Sequence, residues 1–155
     1  MKEKMTIILF SGDLDKALAA FTLATTAAAS NMDVSIFFTF WGLNVLKKPG
    51  AIAGSARLFL QKVFGRINKG LPLSRFNFLG IGPWLMKIIM RKVGAASLDD
   101  LMRSARQLNV KYIACTTSIG VLGLSREDLA GEVDDFAGAS TYLASAKESK
   151  VNLFI

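Results

Sequence analysis

The side chain best suited to covalent chemistry in this sequence is the thiol of Cys115. It is the only cysteine among the 155 residues, which include no histidine. Without histidine there can be no Ser-His-Asp or Cys-His catalytic pair, and the commonest ligand of catalytic zinc is missing. A thiolate can still act without histidine, as a nucleophile or as a carrier of sulfur. Covalent chemistry by this chain must therefore pass through Cys115.

The residues around Cys115 predict a strand that ends at the thiol, followed by a helix. Residues 110–115 (VKYIAC) have the apolar pattern of a buried strand, and residues 118–122 are expected to form a short helix. Ligands of open α/β sheets bind at the carboxyl ends of strands, where Thr116 and Ser118 would adjoin the thiol. A nearby helix N-terminus favours the thiolate. The competing interpretation is a small buried apolar residue, as free cysteines usually are.

Two other predicted strand ends carry candidate pocket residues. Ser11, Gly12 and Asp13 follow the first strand, where backbone N–H groups could bind an anion at a helix N-terminus. An ordinary helix cap is the simpler interpretation of the same residues. Trp41 and Asn44 follow the second strand and could form a wall of the pocket, although such aromatic residues more often serve packing. The sequence predicts no metal site and no cofactor.

The elements that would position these residues alternate between strand and helix. Strands at 5–10 and 33–40 flank a long helix at 14–30, as in a right-handed βαβ unit. The later predicted elements are a helix at 97–108 with a capping box, the strand at 110–115, the short helix at 118–122, a strand near 132–134, a helix at 137–150 and a strand at 151–155. This order predicts one α/β domain over 1–155, with three layers and a doubly wound, mostly parallel sheet of about five strands.

A basic, apolar helical insert at 42–96 interrupts the alternation after the second strand. Residues 34–98 hold ten of the 19 basic residues and no acidic one, so the remainder has nine basic against 12 acidic residues. Helices are expected at 51–64 and at 83–93, the second with Pro83 at its first position. Residues 65–82 are expected to be irregular. We found neither an export signal nor a membrane-spanning run, so we expect a cytoplasmic protein, with membrane association as an alternative.

The predicted helix at 83–93 is the strongest candidate in the insert for a docking surface. Its apolar residues Trp84, Leu85, Ile88 and Ile89 share one face, and its three basic residues project elsewhere. Such a helix could bind an acidic partner or lipid headgroups. A helix that faces the core and keeps a solvated basic side is the simpler interpretation. Nucleic acid is not expected, because the pattern of an RNA-binding module or a helix-turn-helix is missing.

Four stretches of the sequence together resemble the DsrE/DsrF-like sulfur-relay family. They are MTIILFSGDLDKALAAF, FFTFWGLNVL, FNFLGIGPWLMKIIM and VKYIACTTSIGVLGLSREDL, and they cover nearly the whole chain in the family's order. The nearest branch is that of the stand-alone DsrE-like proteins, sometimes labelled peroxiredoxin-like. The family's strand-ending Ala-Cys, followed by Ser and Gly, corresponds here to Ala114, Cys115, Ser118 and the region 120–123.

This resemblance implies that Cys115 accepts sulfane sulfur as a persulfide or binds thiosulfate. It also implies a homo-oligomer and partner proteins that donate and accept sulfur. The leading hypothesis is thus a sulfur carrier or sulfurtransferase, in which an external thiol must remove the sulfur because the chain has no second cysteine. The rival hypothesis is a non-catalytic binding module that docks an acidic partner or a membrane through residues 47–92, with Cys115 in a structural role.

Overall fold

The computed structural model describes residues 2–48, 71–76, 80–129 and 133–155, which form a parallel five-stranded sheet with flanking helices. The strands are β1 (Lys4–Leu9), β2 (Asp33–Phe38), β3 (Lys111–Cys115), β4 (Asp135–Ala137) and β5 (Val151–Phe154). The α-helices are α1 (Leu14–Ala29), α2 (Ile81–Lys92), α3 (Leu98–Gln107), α4 (Thr116–Leu122) and α5 (Ala139–Lys147). Within the described ranges, 3₁₀ helices span Phe40–Leu46 and Arg126–Asp128. The strand order is β4-β3-β2-β1-β5.

Helices cover both faces of the sheet. On one face Phe21 of α1 packs against Phe38 of β2 and Tyr112 of β3, with ring centroids 6.2 Å and 5.7 Å apart, and α3 lies along α1. On the other face Phe37 of β2 packs against Tyr142 of α5, with centroids 5.3 Å apart. The predicted three-layer, doubly wound α/β fold is therefore confirmed.

The packing of α1 on the sheet follows from the spacing of its apolar residues. Leu14, Ala17, Phe21 and Ala24 recur at intervals of three and four, and all four are buried. The alanines let the helix approach the sheet closely, while Phe21 fills the space between the strands. Burial of a side chain of that size stabilises the fold by roughly 1.5–3 kcal/mol.

Polar contacts fix α3 at both of its ends. At its N-terminus Ser97 and Asp100 form the predicted capping box, in which the Ser97 hydroxyl accepts from the Asp100 N–H at 3.2 Å. Near its C-terminus the Arg106 guanidinium donates to Asp134, which also accepts the backbone N–H of Tyr112 at 2.7 Å. The side chain of Arg106 is the main cause that lowers the pKa of Asp134. These contacts hold α3 against the amino ends of β3 and β4.

Several predicted boundaries were wrong. Pro83 is the third residue of α2, not its first, because Gly80 adopts a left-handed backbone with φ of 99° and the helix begins directly after it. Pro83 is still tolerated there, since the N–H groups of a first turn have no partner within the helix. The strand expected near 132–134 runs instead over Asp135–Ala137, where it pairs with Ile113–Cys115. The helix expected at 51–64 lies outside the described residues.

Helix α2 of the insert packs loosely on the remainder of the fold, whereas Leu43 and Leu46 at the start of the insert are buried in the core. Pro83 is the only buried residue among the described positions of α2, while Trp84 is 63% exposed. An open apolar groove of about 620 Å³ lies between α1, residues 71–76 and α2. The expected core-facing position of this helix is therefore wrong for most of its side chains. Among the described residues, no helix has the length and apolar character needed to cross a bilayer.

Candidate functional site

Cys115 is the last residue of β3, as the sequence predicted. Helix α4 follows it directly and begins at Thr116, two residues earlier than expected. Strand β3 is an interior strand, paired with β2 on one side and β4 on the other. The cysteine is buried, with 6% of its surface exposed. Because it ends β3, it lies at the carboxyl edge of the sheet.

Cys115 also lies at a topological switch point of the sheet. Strand β3 continues into α4, whose Ile119 and Leu122 pack against the same core as α1. Strand β4 continues into α5, which lies on the opposite face. After Cys115 the chain therefore continues on one face of the sheet, and after the register partner Ala137 it continues on the other face. Crevices that bind ligands in open α/β sheets form at such points.

Thr39 is a site residue that the sequence analysis missed. Phe38 of β2 is the register partner of Ala114, so the next residues, Thr39 and Cys115, lie side by side. Side chains alternate between faces along a strand, which places both on the face opposite Phe38 and Ala114. The Thr39 hydroxyl lies 2.8 Å from the Ser118 hydroxyl. The sequence shows a hydroxyl residue directly after the second strand, but only the β2–β3 register identifies it as a neighbour of Cys115.

Neutral donors stabilise the Cys115 thiolate. Burial by itself raises the pKa of the thiol, but the hydroxyl and N–H of Ser118, the Thr39 hydroxyl and the Thr117 N–H outweigh it and hold the pKa below its ordinary value. The first turn of α4 makes no capping hydrogen bond of normal geometry to this side chain. The groups that lower this pKa most are all uncharged.

The loop after β1 packs tightly on the 3₁₀ helix Phe40–Leu46. A Cβ at Gly12 would lie 2.6 Å from the Trp41 carbonyl oxygen and 3.3 Å from the Asn44 side-chain nitrogen. The structure thus brings Gly12, Trp41 and Asn44 together, while their role as pocket residues stays a prediction. Ser11 donates its hydroxyl to Asp13 at 2.8 Å, so those two side chains are engaged with each other. Their role in binding an anion stays a prediction.

The remaining predicted site residues differ in how near they lie to the thiol. Ser118 is 1% exposed and is first among the groups that lower the pKa of Cys115. Thr116 is exposed, and its hydroxyl lies 3.5 Å from the Ala137 carbonyl oxygen, across the β3–β4 end. Trp41 is 49% exposed and is not among the groups that act on the thiol. The chemistry available here is that of a stabilised thiolate with neutral hydrogen-bond donors.

Metal ligation has no support within the described part of the chain, where no group of three or more potential cysteine, aspartate or glutamate ligands occurs. The acidic residues close to β3 and β4 are engaged elsewhere: Asp134 binds Arg106, and Asp135 accepts the N–H of Phe136 at 2.8 Å. The site is therefore best considered as a thiol site.

Comparison with protein families decides the family of this chain. The model of the DsrE/DsrF/DrsH-like family matches residues 1–154. The chain belongs to the DsrE/DsrF/DrsH-like family. The expected kinship with the DsrE/DsrF-like proteins is thus confirmed, and it extends along almost the whole chain.

Two curated relatives of this DsrE/DsrF/DrsH-like chain match it over nearly their full lengths. The uncharacterized protein YrkE of Bacillus subtilis is 43% identical over 157 residues, covering 99% of this chain and 97% of YrkE. The sulfur carrier protein DsrE2 of Allochromatium vinosum is 32% identical over 162 residues, covering 99% of each.

Solved structures agree with the DsrE-like fold. MTH1491 of Methanobacterium thermoautotrophicum, a protein of unknown function, superposes with a TM-score of 0.60 at 11% identity, covering 99% of this chain and all of that one. The ychN protein of E. coli superposes with a TM-score of 0.56 at 13% identity, covering both chains fully. At such identities the likeness concerns the fold alone.

Proposed function

We propose that this protein carries sulfane sulfur as a persulfide on Cys115 and passes it to the thiol of a partner protein. The observation that supports this most is the position of the chain's only cysteine: it ends an interior strand at a topological switch point, with its pKa lowered by neutral donors. Kinship with a protein named as a sulfur carrier agrees with that role. A cytoplasmic location and sulfur-donor and sulfur-acceptor proteins as partners belong to the same proposal.

Loading would proceed by attack of the Cys115 thiolate on the outer sulfur of a donor persulfide. A new S–S bond forms to Cys115, the donor's own S–S bond breaks, and its electron pair leaves on the donor thiolate. With thiosulfate as the donor, the leaving group is sulfite. Neither route consumes an oxidant or a reductant. The lowered pKa assists because the thiolate, not the thiol, is the nucleophile.

Unloading would require an acceptor thiolate from outside this chain. The acceptor attacks the outer sulfur of the Cys115 persulfide, the acceptor becomes the persulfide, and Cys115 returns as a thiolate. Since no second cysteine exists, the chain cannot release the sulfur by forming its own disulfide. The carrier therefore depends on a partner in every turnover.

The test of this proposal is loading of the purified full chain with thiosulfate or a small-molecule persulfide, followed by intact mass measurement. We expect a gain of one sulfur atom in the wild type and none in Cys115→Ser, a change that nearly conserves volume. Thr26→Val is a matched control, because Thr26 is an exposed hydroxyl residue on α1, near its carboxyl end. No loading of the folded wild type by either donor would contradict the proposal.

A second candidate function, docking on an anionic surface, is favoured by the exposure of α2. Ile81, Trp84 and Ile89 are 62%, 63% and 51% exposed, while Lys87 and Arg91 are exposed on the same helix. Large apolar and basic side chains together match an anionic lipid surface better than an acidic protein, because lipid accepts both kinds. At 12 residues α2 is about 18 Å long, which suits a helix lying on the surface.

A further inference from the structure

Three phenylalanine rings form an exposed cluster at the carboxyl edge of the sheet. The ring of Phe10, directly after β1, lies 5.3 Å from the ring of Phe40 and 5.8 Å from the ring of Phe154, measured between centroids. The three residues are 37%, 41% and 69% exposed, and we call them the aromatic platform. Exposed apolar side chains that touch one another indicate a binding surface, whereas singly scattered ones do not.

The pairing register places the aromatic platform on the same face of the sheet as the thiol. Leu9 of β1 pairs with Phe38 of β2, which in turn pairs with Ala114 of β3. Side chains alternate between faces, so the residues that directly follow β1 and end β3, Phe10 and Cys115, share the opposite face. Two strand spacings, about 10 Å, separate them. The platform and the thiol therefore lie on one edge and one face of the sheet.

The backbone of Phe40 is held in a conformation that a large side chain disfavours. Its φ is 45°, in the left-handed region that bulky residues rarely adopt. The segment is held on both sides, because the Thr39 N–H donates to the Leu9 carbonyl at 3.1 Å and the Gly42 N–H donates to the Phe10 carbonyl at 2.8 Å. Backbone strain of this kind occurs preferentially at functional sites. Here it accompanies an aromatic ring that lies on the platform and not in the core.

The area of the aromatic platform decides which kind of partner it fits. A phenylalanine side chain offers about 200 Å², so the exposed fractions leave roughly 300 Å² of apolar surface. A stable protein–protein interface needs about 800 Å² from each partner. The platform is therefore too small to hold a second copy of this chain by itself, and it fits one or two side chains of a transient partner.

We propose that the aromatic platform binds an apolar side chain of the sulfur-acceptor protein and thereby positions the acceptor thiol at Cys115. This deepens the proposed sulfur transfer and rests on it, since a carrier with one cysteine meets an external thiol in every turnover. In an extended segment, a residue three positions from the acceptor cysteine lies about 10 Å from it, which matches the distance between the platform and the thiol. The acceptor is thus a protein segment with an apolar residue at that spacing.

The test is the rate of thiol–disulfide exchange between the native full chain and short peptides activated as pyridyl disulfides. The Cys115 thiolate attacks the peptide sulfur, a mixed disulfide forms, the pyridyl disulfide bond breaks, and its electron pair leaves on thiopyridone, whose absorbance is followed. The peptides, blocked at both ends, are Cys-Gly-Gly-Phe, Cys-Gly-Gly-Ser and Cys-Phe-Gly-Gly. The last has the composition of the first but the wrong spacing. The reaction needs only the thiol and is independent of sulfur loading.

The wild type should react about threefold to tenfold faster with Cys-Gly-Gly-Phe than with the other two peptides, because only that ring reaches the platform. Phe10→Ala should remove this preference, since Phe10 contacts both other rings. Phe154→Ala and Phe40→Asn should reduce it, and asparagine tolerates the left-handed backbone. Leu23→Ala is the matched control, because Leu23 is an exposed apolar residue of α1, and it should keep the preference. Rates with Cys-Gly-Gly-Ser should be equal in all variants.

Other outcomes would overturn the platform. They are equal rates of the wild type with all three peptides, no reaction of the native chain, and a preference that survives both Phe10→Ala and Phe154→Ala. Self-association of the wild type that Phe154→Ala abolishes in sedimentation would assign the rings to a second copy. If Phe10→Ala does not fold, as judged by circular dichroism, Phe154→Ala decides. Failure to load sulfur would contradict the carrier function, whereas a chain that loads but shows no peptide preference would contradict the platform alone.

Discussion

Thr39 and Cys115 leave the sheet side by side, because Phe38 of β2 pairs in register with Ala114 of β3. Two residues far apart in sequence are thereby fixed next to each other by hydrogen-bonded strands. Sites built on strands are held more rigidly than sites built on long loops. The thiol environment of Cys115 is therefore a property of the fold and should respond to changes in the strand ends that support it.

The first prediction concerns the pH dependence of Cys115. Because neutral donors lower the pKa of the folded thiol, its thiolate should form at lower pH than in the unfolded chain, where the ordinary value is about 8.5. The alkylation profile of the native protein should have its midpoint below that of the same protein in urea. An equal or higher native midpoint would mean that burial outweighs the donors.

The cause of that shift can be checked with salt. The groups that lower the pKa of Cys115 most are all uncharged, so the native midpoint should be the same at low and high ionic strength. A midpoint that rises as salt is added would reveal a cation near the sulfur. That result would mean that a nearby charge, rather than the neutral donors, lowers the pKa of Cys115.

The sequence predicted the sheet well because its strands have simple patterns. The apolar runs of β1, β2 and β3 are long enough to be recognised without knowledge of their neighbours, and Cys115 was correctly placed at a strand end. The strand expected near 132–134 was displaced because β4 has only three residues, and its position is set by pairing with Ile113–Cys115. Short edge strands depend on such pairing more than on their own residues.

The candidate site was predicted only in part, for a related reason. Ser118 follows Cys115 closely and could be found from local spacing. Thr39 belongs to a different strand, and its contact with Ser118 depends on the β2–β3 register, which a single sequence does not contain. The 3₁₀ helix Phe40–Leu46 was also missed. Its position depends on the close approach of Gly42 to the Leu9 carbonyl, which is a contact between separate elements.

The second prediction uses two glycines close to the site. A Cβ at Gly42 would lie 1.9 Å from the Leu9 carbonyl oxygen, so Gly42→Ala must shift the 3₁₀ helix and with it Thr39. We expect a loss of about 1–3 kcal/mol in the free energy of unfolding and slower alkylation of Cys115. Urea unfolding and iodoacetamide kinetics measure the two effects.

Gly120→Ala is the matched control for that substitution. Gly120 lies within α4, and a Cβ there would meet nothing within 4 Å. Alanine should raise the free energy of unfolding by about 0.5–1 kcal/mol through its higher helix propensity. Alkylation should stay unchanged. Equal stability and reactivity of the two variants would contradict the close approach at Gly42.

The third prediction concerns Asp134, which ties Arg106 to the backbone N–H of Tyr112. Arg106 is the main cause that lowers the pKa of Asp134 in the folded state. The Asp134 carboxylate therefore stabilises the fold above the unfolded pKa of about 3.9, and this stabilisation is lost as pH falls through the lower folded pKa. Asp134→Asn should cost about 1 kcal/mol at neutral pH, after allowance for solvent screening. The difference between the variant and the wild type should shrink in acid. A difference that is constant with pH would show that the carboxylate charge is not involved.

The fourth prediction tests α2 as a docking surface. Vesicles that contain anionic lipid should bind the full chain, and Trp84→Ala should weaken binding at both low and high salt because its contribution is apolar. Lys87→Glu combined with Arg91→Glu should weaken it mainly at low salt, where charges are least screened. Co-sedimentation measures both effects.

Three results would contradict docking of α2 on lipid. They are equal binding to neutral vesicles, no binding at all, and binding that both variants retain. If α2 instead binds an acidic protein, binding to that protein should weaken as salt is added and should be unaffected by Trp84→Ala. Self-association as a homo-oligomer stays a separate prediction, and sedimentation of the protein without vesicles measures it.

The carrier role of Cys115 is tested most directly by following one sulfur atom onto the chain and off it. The wild type, loaded with a persulfide donor and freed of excess reagent, should gain the mass of one sulfur, and peptide mapping should locate it on Cys115. Addition of an acceptor thiol should then return the original mass and convert the acceptor to its persulfide, and Cys115→Ser should do neither. Sulfur found on Cys115→Ser, or a folded wild type that gains none, would contradict the account.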